Sequence, residues 1–209
     1  PVRQHEAIRC AAGLRAKYGV SFDACMSIAV HMRTGQGWGP RFPLEPRPEG
    51  LDGRWREKSA ETFLADLSEF VKESRFDRFL EEHRELYETT AKRMETLLGE
   101  EAHLEWFDQF FGARRFAVIP ALVNGGSCYG PHVKCPGGRE EYYCILGVWK
   151  TDWTGQPAFD ATMIDTIIHE FCHSYANAII DRHEAPLRAP GEAIFAHVAY
   201  AMQRQAYGA

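Results

Sequence analysis

The sequence predicts an α+β fold, mainly helical, with a small antiparallel or mixed sheet beside a helix that bears His-Glu-x-x-His. Three observations predict it. Helical spacing of apolar residues dominates the N-terminal half, two short β-branched and aromatic runs appear only after Gly112, and a later apolar stretch from Met163 to Ile180 holds neither Pro nor Gly. With 209 residues and 45% hydrophobic content, the chain suits one continuous domain or a helical region, 1–112, packed on a second region, 113–209.

Residues 3–17 and 21–32 read as two short helices split at Tyr18-Gly19-Val20, with Ser21 placed to cap the second and Asp23 in its first turn. The Gly- and Pro-dense segment 34–53 should cross the surface as an irregular loop, pinned by Trp38, Phe42 and Trp55. Helical spacing resumes at 59–73, through Phe63, Leu64, Leu67 and Phe70, and at 76–98, through Phe79, His83, Tyr87, Met94 and Leu97. Charges alternate in sign there, which marks Glu81, Glu82, Glu85 and Glu88 as solvated and His83 as a satisfied, half-buried residue. A short helix over 104–111 ends at Gly112.

The period then shortens, and 116–123 and 142–149 read as strands. Pro120 has no N–H for a ladder, so the first strand is bulged or lies at an edge there. The stretch from Asn124 to Pro131 reads either as a hairpin connection or as a substrate-facing segment, since Gly125 and Gly126 permit close backbone approach. Asp160 is placed to cap the helix that follows, and a last helix is expected from about Gly191 to Tyr207.

His169-Glu170-Phe171-Cys172-His173 falls inside the long apolar stretch. Helical positions i and i+4 stack on one face, so His169 and His173 can present two imidazole nitrogens to one Zn2+ ion, with Glu170 about 100° further round. Two imidazoles and a third ligand leave zinc one open position, where the pKa of bound water falls toward neutrality, and Glu170 is placed to take the proton. Composition gives roughly 0.04 chance matches to this motif per chain. Ile164, Ile168, Phe171, Tyr175 and Ile179 form an apolar stripe, with Ile167, Cys172 and Ile180 elsewhere around the helix, so it should lie inside the protein. The plain alternative is a pair of core histidines and a salt-bridged Glu, which burial would still oblige to find hydrogen-bond partners.

The net charge of −5 and the lack of a basic patch argue against a nucleic-acid partner, and no apolar run approaches the ~18 residues of a membrane span. The chain begins Pro1-Val2-Arg3-Gln4, which suggests a processed start and leaves a periplasmic or secreted location open. Cys10 with Cys25, and Cys128 with Cys135, are pairs able to bridge in an oxidising compartment, whereas Cys172 is expected as a small buried apolar residue.

Strands before a helix bearing this motif, with helices after it, resemble the zincin metallopeptidases, most closely the thermolysin-like gluzincin branch. The chain is also similar to a poorly characterised bacterial domain family of that branch, over 21–32, Leu51-Asp52-Gly53-Arg54-Trp55, 106–112, 124–130 and His169-Glu170-Phe171-Cys172-His173-Ser174-Tyr175-Ala176-Asn177, and more weakly over 202–208. The resemblance implies a zinc-dependent metallopeptidase acting on a peptide or protein substrate, with His169 and His173 as ligands, Glu170 as general base, and Asn124, Gly125, Gly126 and Tyr129 lining the cleft. It places the third ligand on a helix following Ala206-Tyr207-Gly208, past Ala209, so the chain reads as a fragment. Glu192, 19 residues after His173, has a compatible spacing and Glu184 lies 11 after, but Glu192 follows Pro190-Gly191 and reads as a first-turn Glu favoured by the helix dipole. Tyr129, His183, His197 and Tyr200 are candidates for the electrophilic helper by residue type alone. Two other readings stay open: a non-catalytic peptide- or metal-binding relative, and a zinc hydrolase of a non-peptide amide.

Overall fold

The structure is a computed structural model that describes residues 2–35, 37–56, 58–102, 104–111 and 115–197. The fold is α+β, and the chain divides into two compact units, Pro1–Phe171 and Cys172–Ala209.

In the first unit α1 (Glu6–Tyr18) begins where His5 Nδ1 accepts the Ala7 N–H and ends where Gly19 turns left-handed at φ 69°. Ser21 does not cap α2 (Asp23–Val30). The reversal at Gly19 turns the Ser21 hydroxyl back onto the Gly19 carbonyl at 3.1 Å, and Phe22, at φ 51°, takes the cap position without a side-chain bond. α3 (Ser59–Ser74) follows the predicted span, but the 76–98 pattern is two helices, α4 (Phe76–Glu82) and α5 (Arg84–Glu101). They part at His83, which is exposed rather than half-buried and bonds the Phe79 carbonyl through Nδ1 at 2.8 Å. Apolar spacing carries no trace of such a break. α6 (Leu104–Phe111) has the expected bounds, and Gly112 lies outside the described residues.

The 34–53 loop is pinned as expected. The Trp55 indole donates to the Ala24 carbonyl at 2.7 Å, Trp38 donates to Asp77 at 3.3 Å, and the Phe42 ring meets His31 edge-on. A two-residue ribbon, β1 (Met32–Arg33) with β2 (Gly39–Pro40), closes the loop's start. In the Leu51-Asp52-Gly53-Arg54-Trp55 segment the Arg54 guanidinium bridges Asp52 at 2.8 Å and Asp23 at 2.6 Å, so the segment clasps α2 and packs Leu51 and Trp55 into a core with Leu14, Ala24, Ile28 and Leu64.

The sheet differs from a hairpin. β3 (Arg115–Ala121) runs parallel to β5 (Glu140–Gly147), and the connection between them contains an unforeseen strand, β4 (His132–Lys134), antiparallel to β5; the order is β3-β5-β4. Parallel neighbours need a crossover connection, which is why the intervening stretch is long. Pro120 lies on edge strand β3, where its missing donor costs nothing. Val123 falls outside the strand, 96% exposed. β6 (Lys150–Thr151) and β7 (Pro157–Ala158) form a second small ribbon.

Arg41 ties the loop to the sheet. It donates to Glu141 at 2.7 Å, to the Val30 carbonyl at 3.0 Å and to the Tyr143 hydroxyl at 3.2 Å, and Arg139 reaches the other Glu141 oxygen at 2.9 Å. Burial pushes the Glu141 carboxyl up, but the Tyr143 hydroxyl and Arg41 more than offset this and hold it below its ordinary range. Arg41→Met, which leaves the buried Glu141 carboxylate with only Arg139 and the Tyr143 hydroxyl, should cost about 3 kcal/mol and lower Tm by roughly 6–12 °C; an unchanged melting curve would show the ion pair to be dispensable.

α7 (Thr162–Arg182) carries the His-Glu-x-x-His motif, and α8 (Glu184–Phe195) follows it. The buried face of α7 is Met163, Ile167 and Phe171, one position from the predicted stripe, while Ile179 and Ile180 are exposed at 51% and 50%. α8 starts at Glu184, well before Gly191, because Pro186 in its first turn is tolerated there, so Glu184 is the first-turn acid and Glu192 lies in its later half. Pro190 lies within the helix, and the predicted continuation over 198–207 is outside the described residues.

All six cysteines are free thiols. Cys128 packs with the core that holds Cys144, and Cys135 belongs to a different core, so this pair, able to bridge by its spacing in sequence, is split between two cores. Cys172 is half-buried, not buried. Among the described residues no helix is long and apolar enough to cross a membrane.

His31 is fully buried, with Nδ1 on the Ser27 carbonyl at 2.7 Å. Burial lowers its pKa from 6.5, opposed by backbone hydrogen bonds to Ser27 and Glu49 and reinforced by Arg41 and His132. The unfolded chain therefore takes up the proton first, so this contribution is complete above about pH 6.5 and is lost as pH falls through the lowered folded value. Urea midpoints between pH 7.5 and 4.5 should fall less steeply for His31→Gln than for the parent; parallel curves would eliminate His31 as a cause.

Candidate functional site

The site is built on the first turns of α7. Asp160 Oδ1 accepts the Thr162 N–H at 3.0 Å and so caps the helix as expected, and Lys150 and the Thr162 hydroxyl hold its carboxyl down at about 2. Met163, Ile167 and Phe171 then pack against Met94, Leu97, Tyr142, Cys144 and Leu146, with the Phe116 ring edge-on to Phe171 at 4.5 Å.

That seating fixes the rotation of the helix about its axis. At about 100° per residue, His169 and His173 lie roughly 160° and 120° from the middle of the buried face, and Glu170 roughly 60° from it. The exposures agree: both histidines are exposed and Glu170 is half-buried. The histidines are not core residues. One turn apart on a continuous helix, they share a face, with the carboxylate at the margin between that face and the core.

The strand facing Glu170 comes from the stretch the sequence singled out. Tyr129 and Ile145 exchange both backbone hydrogen bonds, at 3.0 and 2.8 Å, and the Tyr143 N–H donates to the Pro131 carbonyl, so 129–131 runs antiparallel to β5. Side chains alternate along it. Cys128 and Gly130 face α7, whereas Tyr129 packs with Val30, Val133 and Ile145 in the other core and does not join Glu170. Asn124 bonds within its own turn, through Nδ2 to the Ser127 carbonyl at 3.4 Å, Gly125 turns left-handed at φ 58°, and the Gly126 carbonyl accepts the Trp149 indole at 3.1 Å. These three residues shape the turn.

The Glu170 charge acts on two thiols of the neighbouring core, Cys144 and Cys128. Burial raises the Cys144 pKa and the Glu170 charge raises it further; in Cys128 burial again leads, a bond to the Gly147 backbone opposes it, and Glu170 adds to the rise. The alternation of 128 and 130 is the one signal that pointed to them, and it becomes readable only once the strand's register on β5 is known.

His169 and His173 are two imidazole side chains one turn apart on α7. Among the described residues no three His, Cys, Asp or Glu side chains gather to hold a metal ion, so neither Glu184 nor Glu192 completes the set there. Imidazole nitrogens are donors of the type zinc takes, and a zinc site needs at least three protein ligands, of which these two residues could be two. His183 and His197 are exposed, and Tyr200 lies outside the described residues. Comparison of the chain with family models, curated proteins and solved structures found no match.

Proposed function

We propose that this chain is a zinc-dependent metallopeptidase. The observation that carries the reading is the arrangement on α7: two solvent-facing imidazoles one turn apart, with a half-buried carboxylate between them and the core. Zinc held there by His169, His173 and a third donor would supply a Lewis acid and a bound water of lowered pKa. Glu170, anchored through Phe171 beside it, would accept that water's proton and return it to the leaving amine.

The neighbouring strand favours a peptide substrate. Tyr129 turns its N–H and carbonyl toward β5, so by antiparallel alternation Gly130 turns its own away from β5, where an extended peptide can pair with them beside Glu170. The 124–127 turn would form the end of that cleft. A non-catalytic metal- or peptide-binding protein is the second reading, favoured by the two-donor count among the described residues.

Zinc stoichiometry and hydrolysis of labelled casein separate these readings. The parent and Glu170→Gln should both bind one zinc, His169→Ala and His173→Ala should lose it, and Glu170→Gln should hydrolyse about 10²–10⁴-fold more slowly. Full activity in Glu170→Gln would refute the mechanism; stoichiometric zinc without any turnover in the parent would favour the binding protein.

A further inference from the structure

We infer that Gly130 is a positioning residue for Glu170, because the strand carrying it approaches α7 so closely that no side chain fits between them. Its consequence for hydrolysis rests on the reading of Glu170 as general base; its geometry does not. A Cβ at Gly130 would stand 2.5 Å from the Glu170 carbonyl oxygen and 3.4 Å from Glu170 Oε2. Comfortable carbon contacts lie at about 3.5–4.0 Å, so a methyl group there requires a displacement of about 1 Å. The obstacle is helix main chain, which cannot rotate aside as a side chain can.

Neither partner yields easily. The strand is fixed by its bonds to Tyr143 and Ile145, and α7 by Met163, Ile167 and Phe171 in the core. Gly147 secures the strand's other end, since a side chain there would overlap the Gly125 carbonyl and stand 2.8 Å from that of Ser127. Gly130 is not one of the left-handed glycines, so space and not backbone conformation demands it. The demand is local: at Gly126 a Cβ would meet only Trp149, at an ordinary 3.6 Å.

Gly130 thus sets the distance between the strand and the Glu170 peptide unit, and its missing side chain leaves room beside the Glu170 carboxylate. Gly130→Ala should lower kcat on labelled casein about 100-fold, the scale of a 1 Å misplacement, with KM little changed. An assay independent of turnover is the pH midpoint of Cys128 alkylation by iodoacetamide, followed by peptide mass mapping. Glu170→Gln should lower that midpoint by removing the charge that raises it, Gly130→Ala should lower it too, and the double variant should show no more than Glu170→Gln alone. Leu64→Ala, which loosens the distant core around α3, should lower Tm but leave both readouts at parent values. A parent-like midpoint and kcat in Gly130→Ala, or a further shift in the double variant, would overturn the inference. Parent-level hydrolysis by Glu170→Gln would instead remove the general-base assignment, and the alkylation comparison would still decide Gly130.

Discussion

The seating of Met163, Ile167 and Phe171 on β5 and α5 governs how α7 presents its side chains. Burying each of these side chains contributes about 1.5–3 kcal/mol, enough together to lock the rotation of α7 about its axis. Once that rotation is set, the positions of His169, Glu170 and His173 follow from helix geometry alone. The histidines turn to solvent, and the carboxylate is left at the boundary, where a polar group can be held without full desolvation.

The same sheet supports both sides of the molecule's chemistry. One face of β5 carries Cys144 and Leu146 toward α7; the other carries Ile145 and Tyr143 toward the core beneath Arg41. Glu141 is nearly buried there and is tolerated because Arg41, Arg139 and Tyr143 all bond it. The long 34–53 loop is thereby joined to a strand about a hundred residues away in sequence. The Leu51–Trp55 segment has a structural part: Arg54 and Trp55 clamp α2.

Element type was legible wherever one period ran unbroken, as in α1, α3 and α7, and at Pro120, whose missing N–H foretold an edge. Breaks without Gly or Pro were not legible. His83 divides α4 from α5 inside a continuous apolar pattern, and Pro190 sits within α8 where a start was expected. β4 escaped notice because three residues give too short an alternation to register, and with it went the parallel pairing of β3 and β5.

The sequence by itself determined that His169 and His173 share a helical face with Glu170 beside them, because that relation depends only on spacing along one helix. It also pointed to close backbone approach at Gly125 and Gly126, whereas the approach to α7 falls at Gly130. Only the tertiary structure decided what approaches: strand register turned Cys128 and Gly130 toward α7 and Tyr129 away, and packing brought the Gly130 backbone against the Glu170 carbonyl. Such contacts join residues some forty positions apart, and nothing in local spacing encodes a distance between separate elements, which is set by the volumes packed beneath them.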